Sequence, residues 1–483
     1  MDKENLKRQT INGLFWQFCQ RGSGQLISFC ITVVLARILT PEDYGVVALA
    51  SMFNILVGIF VTCSMGMALV QKKDVDELDY NTVFYSSLFM SFVLYAFVYF
   101  GAPYFASLYD NDHIIPIMRV LALAMPIGAF SMVQSAIVTR QMAFKKFFYS
   151  SLWSQIITSV IAIAMAYMGF GAWALVAQSI ASTLASNYVL YRMVRWHPKW
   201  MYSWSRFNAL FPYAWKKTAA SFMGTLCNQL KGYLIGYHYT TADLAFFNRG
   251  EGLPEMLRNS ISGTIDGVLF PALSKVQDDV EGLKRGIRRS IMTSTFFVCP
   301  VLFGLAATAD KLVPIIYSAK WSPAVPFMQV ACVTLIVVLI NNTNLQTLYA
   351  IGRTDVVLKQ EFIKKPVMLA ILAFAITISP IAISVGIFIH SVHELFWTSY
   401  ANSKLIKYSL FEQLNDVKSN VIIALVMAGV VYIVGLFIAN PYIAACVQII
   451  LGMILYLGIC HLLNNESYMY CKDVILGKFF NKK

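Results

Sequence analysis

The sequence predicts an all-α polytopic membrane protein of about fourteen transmembrane helices, and three observations carry that expectation. First, 58% of the 483 residues are hydrophobic and only 13% are charged, about half the charged share of an ordinary soluble chain. Second, apolar runs of about 20 residues recur along the whole length. Third, Lys and Arg concentrate in alternate loops between those runs. Mean hydropathy is +0.62, as expected for a chain folded in lipid.

The opening stretch "MDKENLKRQTING" is charged and runs directly into the first apolar segment. That segment is too long for a signal-peptide core and has no small-residue cleavage site after it, so it reads as a retained first span. The spans begin near Asn12, Val46, Val83, Ile114, Phe148, Ala172, Ala219, Leu253, Ile291, Ala324, Pro366, Ser384, Val421 and Tyr442. Turn chemistry separates them, in "TPEDYG", "YDNDH", "MGFG", "ISP" and "ANP". With the N-terminus cytoplasmic, the outer loops hold about four basic residues (Arg37, Arg249, Lys311, Lys320), and the inner loops and tails about 28. Both termini are therefore expected in the cytoplasm, with an even number of spans. The net charge of +13 belongs largely to cytoplasmic loops beside anionic lipid and argues for no nucleic-acid partner. The nine cysteines form no CxxC pair, so neither a disulfide framework nor a metal site is expected.

One inner segment differs from the rest. "VRWHPKWMYSWSRFNALFPYAW" sets Trp196, Trp200 and Trp204 at helical spacing beside Arg195, Lys199 and Arg206. Such a mixture suits the membrane interface, while Pro198 opposes one regular helix through it. The segment reads as a linker at 194–215 between an N-lobe at 1–193 and a C-lobe at 216–408, with two peripheral spans and a cytoplasmic tail at 409–483. A faint repeat supports two lobes. "TPEDYG" follows span one and "TTADLA" follows span seven, each a Thr-x-x-Asp helix-start signal, about 200 residues apart. Six plus six spans about a linker is a recurrent transporter plan.

Polar groups inside the spans carry the chemistry, because an ionised side chain at mid-membrane costs roughly 2.5–3.5 kcal/mol. Gln17, Arg21, Gln25, Ser28 and Thr32 fall on one face of span one. Arg258, Ser262 and Asp266 follow one another at i+4 in span eight, and Asn228 and Lys231 lie one turn apart in span seven. Span ten holds Asn341, Asn342, Asn344 and Gln346, and Asn54, Gln155 and Gln178 occur singly elsewhere. Isolated amides serve most often as ties between helices. The expected cavity lining is Gln17, Arg21, Gln25, Asn228, Lys231, Arg258 and Ser262, facing one central opening between the lobes. Arg119 reads as a snorkelling residue, and Lys216 and Lys217 lie where a boundary and a cavity mouth are equally consistent. Span twelve carries His390, His393 and Glu394, which is not HExxH and reads as no metalloprotease. Asp266 and Glu394 are the acidic candidates for coupling to a proton or sodium gradient. No cofactor is expected.

A cationic cavity favours an anionic substrate, and arginine's planar fork suits phosphate. Amides add hydrogen bonds for hydroxyl-rich sugars. The residues point to an exporter or flippase of an amphiphilic anion. A drug exporter is the alternative within transport, although an acidic cavity would serve cations better. A membrane-embedded glycan polymerase or transferase is the alternative from another class. Such an enzyme needs a large outer loop or paired carboxylates, and Glu42-Asp43 reads better as a helix start.

Two stretches sharpen this. "LARILTPEDYGVVALA" (35–50) and "FFNRGEGLPEMLRNSISGTIDGVLFPALSKVQDD" (246–279) resemble the signatures of bacterial polysaccharide-transport flippases, lipopolysaccharide and exopolysaccharide carriers of the multidrug/oligosaccharidyl-lipid/polysaccharide exporter superfamily. The resemblance covers about Asn12 to Ile406. It implies two pseudo-symmetric six-helix lobes working by alternating access in the bacterial inner membrane. It implies an undecaprenyl-pyrophosphate-linked oligosaccharide as substrate, destined for O-antigen, capsule or exopolysaccharide. Pathway glycosyltransferases and a polymerase are the implied partners, besides membrane lipids. Arg21 and Arg258 match the family's cavity-lining basic positions, and no acidic coupling motif matches.

Overall fold

The computed structural model describes residues 3–62, 65–72, 74–141, 143–274 and 279–472. Every regular element among them is helical. The first ten helices are α1 (Lys3–Ile38), α2 (Pro41–Thr62), α3 (Met65–Gln71), α4 (Glu77–Ser107), α5 (Ile114–Ala122), α6 (Ala124–Ala129), α7 (Met132–Arg140), α8 (Phe144–Tyr167), α9 (Ala172–Val194) and α10 (Trp204–His238). Then come α11 (Thr241–Ser274), α12 (Val280–Tyr317), a 3-10 turn at Ala319–Ala324, α13 (Val325–Ala350), α14 (Thr354–Ala375), α15 (Pro380–Ile406), α16 (Leu410–Leu436) and α17 (Pro441–Leu462). Eight are long and apolar enough to cross a bilayer, and nine spans result if the bent pair Ile114–Ala129 and Met132–Arg140 is one. The expected fourteen is therefore not reached on apolarity alone among the described residues. Helices α1, α9, α10, α11 and α14 are each 22 residues or longer and fall outside that set, α1 with an apolar stretch at Gly22–Ile38 that is shorter than a span among the described residues.

Contacts gather the chain into two compact units, Met1–Ala245 and Phe246–Lys483. In the first unit α8 and α9 share the largest contact, and small residues explain it. Ser150, Ser154, Thr158, Ala162 and Ala166 recur every fourth residue on α8, and all are buried. Their size lets the backbones approach. Ser150 Oγ donates to the Ser186 carbonyl and Ser154 Oγ to the Ser182 carbonyl, each at 2.8 Å. Helix α10, which span order assigns to the second lobe, packs on α2, α3 and α4 of this unit.

Both Thr-x-x-Asp signals form the same cap. Thr40 Oγ1 donates to Asp43 Oδ2 at 2.9 Å and accepts from the Asp43 N–H at 3.2 Å. The Thr240 and Asp243 pair repeats this at 2.7 and 3.1 Å. Asp43 also holds a second helix: its Oδ1 accepts from Ala172 N at 2.9 Å, opening α9 beyond Gly171. The two helix starts meet at Gly45, where an added Cβ would lie 1.9 Å from the Thr241 carbonyl oxygen.

The Trp-rich segment does not form a helix through residue 203. Val194 ends α9, and Arg195 closes it in the left-handed region at φ 55°. Trp196 packs against Tyr80 and Phe84, whereas Trp200 is 94% exposed and stacks on Tyr85. Helix α10 then runs unbroken from Trp204. Residues 199 and 203 are pinned to the start of α4, since Lys199 N donates to Asn81 Oδ1 at 2.5 Å and Ser203 N to Thr82 Oγ1 at 3.2 Å. Beside them Asp79 is fully buried, with Lys72 Nζ at 2.6 Å and Arg206 Nη1 at 3.6 Å. Asp76 caps α4, and the Asp79 backbone N–H, helped by the Arg206 guanidinium, holds its carboxyl below the usual range.

The second unit centres on α12, which packs against α13, α16 and α17, while α13 and α14 both pack on α15. A buried amide network ties three helices. Asn344 Nδ2 donates to Gln413 Oε1 at 2.8 Å, and Asn402 Nδ2 donates to Asn344 Oδ1 at 2.8 Å. Thr398 Oγ1 donates to Asn341 Oδ1 at 2.5 Å.

Gly45→Ala is expected to destabilise the protein by about 1–3 kcal/mol in detergent thermal unfolding, the cost of overpacking. Gly58→Ala, whose Cβ meets nothing within 4 Å, serves as the neutral control. Asp79→Ala is expected to cost about 3 kcal/mol, since it strips a buried carboxylate from its cations. Asp76→Ala is expected to cost about 1 kcal/mol. Because the folded Asp76 value is lowered, its contribution is present above the unfolded carboxylate range and fades as pH falls through the folded value. The wild-type and Asp76→Ala unfolding curves should then converge in acid.

Candidate substrate and coupling sites

In the first unit, Gln25 on α1 and Lys231 on α10 are half-buried and engaged with neighbours, while Asn228 and Lys216 are exposed. The side chains of Gln17, Arg21 and Lys217 lie outside the described residues. Arg119 is tied down: its Nε donates to the Tyr99 carbonyl at 3.1 Å and its guanidinium lies 4.2 Å from the Tyr99 ring centre. This unit also holds a cavity of about 480 Å³ whose polar lining is uncharged, including Ser131, Ser135, Thr139, Ser182, Thr183 and Asn187. The sequence reading passed over it. The signal was the i, i+4 spacing of Ser131, Ser135 and Thr139 on one helical stretch.

In the second unit, Arg258 is the described cation of the expected set. Its side chain is 13% exposed. One Nη donates to Asn259 Oδ1 at 2.7 Å, and Glu255 stands 3.9 Å away. Its Nε is buried without a hydrogen-bond partner among the described residues. A buried guanidinium N–H without an acceptor is costly, so this donor is held ready for a ligand oxygen or a water. The neighbouring Leu257 lines a cavity of about 450 Å³ between α11, α12, α16 and α17, walled largely by Phe297, Val301, Leu305, Met427 and Met453. Arg258 follows Leu257 in α11 and is not itself among the residues that line the slot. Ser262 and Asp266, one and two turns further along, have side chains outside the described residues.

The amides of span ten divide from this picture. Asn341 and Asn344 are 7% and 0% exposed and spend their hydrogen bonds on Thr398, Gln413 and Asn402. They are ties between helices.

Glu394 lies midway along α15 and is half-buried. It faces Lys364, midway along α14 and only 2% exposed, and it is the charge that bears most strongly on both Lys364 and His390. His390 Nε2 lies 3.2 Å from the Lys364 carbonyl oxygen. His393 Nε2 accepts from Trp397 Nε1 at 2.9 Å, which leaves the neutral ring's proton on Nδ1. That Nδ1 is buried and has no partner among the described residues. Gln360, one turn before Lys364, donates to the Trp397 carbonyl at 2.8 Å. Sequence reading missed Lys364 and Gln360. The run "LKQEFIKK" looked like an inner loop before a span starting at Pro366, whereas α14 begins at Thr354 and carries these residues well inside the helix. The legible signal was Gln360 and Lys364 at i+4, the face that meets His390 and Glu394.

A family model described as "polysaccharide biosynthesis protein" matches residues 34–326. The chain belongs to that family. Succinoglycan biosynthesis transport protein ExoT of Rhizobium meliloti (strain 1021) is 23% identical over 324 residues, 67% of this chain and 65% of that protein, so the chain spans just under two thirds of that relative. Lipopolysaccharide biosynthesis protein WzxC of Escherichia coli (strain K12) is 20% identical, with 74% of this chain and 73% of that protein covered. Among solved structures, lipid II flippase MurJ in an inward-closed conformation superimposes with a TM-score of 0.72 at 16% identity, over 96% of this chain and all of the other. An inward-facing MATE transporter of the MOP superfamily gives 0.59 at 14% identity, over 80% of this chain and 96% of the other. At these identities the structural likeness is one of fold. The chain is thus a multi-span, all-helical membrane protein of this family, with a fold like that of MurJ and the MATE transporter.

Proposed function

We propose that this protein flips an undecaprenyl-pyrophosphate-linked oligosaccharide across the bacterial inner membrane by alternating access, with both termini in the cytoplasm. The observation that carries the reading is Arg258. Its nearly buried guanidinium keeps an unspent N–H, a donor suited to a pyrophosphate oxygen. The pyrophosphate oxygens accept from Arg258, and the apolar slot lined by the preceding residue, Leu257, is the place assigned to the polyprenyl chain. Arg21, at the matching basic position of span one, is the second cation that the resemblance assigns to substrate binding. The uncharged hydroxyl-lined cavity suits the sugar portion. Glycosyltransferases supply this substrate, and a polymerase or ligase consumes it.

Arg258→Ala and Arg21→Ala are each expected to abolish surface glycan while the protein stays in the membrane at wild-type level. Immunoblotting of membranes and glycan staining of cells measure the two together. Arg258→Lys should restore part of the signal, because charge returns without the fork. Normal glycan in both alanine variants rejects the assignment.

The Glu394 carboxylate is the coupling group in this reading. Its charge acts on Lys364 and on His390, and an acidic group midway along a spanning helix is the reading's candidate for ion coupling. Glu394→Gln and Lys364→Met should each leave transport in reconstituted vesicles insensitive to an imposed pH gradient. Retained sensitivity in both, with loss in Asp266→Asn, moves the role to Asp266.

A further inference from the structure

A second basic site is built on the start of α12, apart from Arg258 on α11. The first turns of α12 and the segment 466–472, which follows α17, enclose a cavity of about 320 Å³ lined by Arg285, Arg288, Arg289, Thr293, Glu466 and Tyr470. The three arginines are not equivalent. Arg288 is spent, with Nε 3.0 Å from Asp416 Oδ1 and Nη2 3.1 Å from Glu466 Oε2. Arg289 has no carboxylate within ion-pair distance among the described residues. Its guanidinium carbon lies over the Tyr470 ring, 3.5 Å from the centre. A cation–π contact holds the side chain in place without consuming its charge, and arginine so held suits a phosphate. Arg285, one turn earlier on the same face, is 77% exposed, and its nearest carboxylate is the exposed Asp279 at 3.9 Å. Thr293 continues that face one turn beyond Arg289. Glu466 stands on the opposite wall, neutralised by Arg288.

Leu462, which ends α17, and Leu463, three residues before the segment, are 79% and 64% exposed. Exposed carbon surface at the end of a spanning helix meets acyl chains, so the cavity wall supplied by 466–472 follows directly on a lipid-facing helix end. Arg289, set against an aromatic ring, and the exposed Arg285, held only by a long pair to an exposed carboxylate, form a phosphate pocket at headgroup level. We propose that it holds the phosphate of an anionic phospholipid, and that the bound headgroup pins segment 466–472 to α12. The size fits: about 320 Å³ is at the small end of ligand cavities, right for a headgroup and too small for an oligosaccharide.

The test uses the full-length protein in detergent, with native mass spectrometry reading bound lipid after addition of phosphatidylglycerol or phosphatidylcholine. Wild type should retain phosphatidylglycerol over phosphatidylcholine by about 25-fold, about fivefold for each free arginine. The preference should fall as salt rises. Arg285→Gln with Arg289→Gln should reduce it to parity, and Arg289→Lys, which keeps charge and folds more safely, should leave an intermediate preference. Thermal unfolding without lipid checks that each variant is folded. Undiminished preference in Arg289→Lys and in the double variant overturns the proposal. Full displacement of the lipid by inorganic phosphate at matched concentration also overturns it, because the ligand is then a soluble phosphate.

Discussion

Desolvation of charge is the constraint on which this molecule depends. A polar side chain on a spanning helix must find a partner, reach water or wait for a ligand. The described residues use all three solutions, and the solution tells the role. Asp79 is surrounded by Lys72, Arg206 and a backbone N–H, so its charge is structural. Asn344, Asn402 and Gln413 spend most of their hydrogen bonds on one another, and only the Asn402 Oδ1 is left over. Arg258 Nε and His393 Nδ1 are also buried without a partner among the described residues. What sets Arg258 apart from the leftover amide oxygens is its charge, since an ionised donor is the costliest group to leave unpaired in a spanning helix.

The same constraint explains what the sequence made legible. Helix starts at Ile114 and Ala172 and the two Thr-x-x-Asp caps were readable, because caps and turns rest on local chemistry. Arg258 stood out in span eight because its charge costs too much to place idly in a membrane, and its side chain is 13% exposed with an unpartnered Nε among the described residues. Span ten was not, since a cluster of asparagines looks alike whether it faces water or another helix. Only the partners on α15 and α16 decide, and they lie 55–69 residues away. Lys364 was hidden for the opposite reason. A charge-dense run reads as a loop by hydropathy, yet the helix continues through it.

The paired caps bear on how two similar halves come to differ. Positions 40–45 and 240–245 repeat Thr-x-x-Asp with the same hydrogen bonds at nearly the same lengths. They part at the sixth residue, Gly45 in one and Ala245 in the other. The structure gives the reason. Gly45 receives the Thr241 carbonyl at a distance no Cβ allows, whereas Ala245, 3% exposed, fills its own space with a methyl group. A contact that used both copies alike would need glycine twice. The helix starts therefore meet off their shared register, one offering a bare backbone and the other its first turn. Asp43 carries the difference further, since its second carboxylate oxygen also starts α9. A motif that caps a helix in either half has, in one of them, become the joint on which α2, α9 and the start of α11 converge.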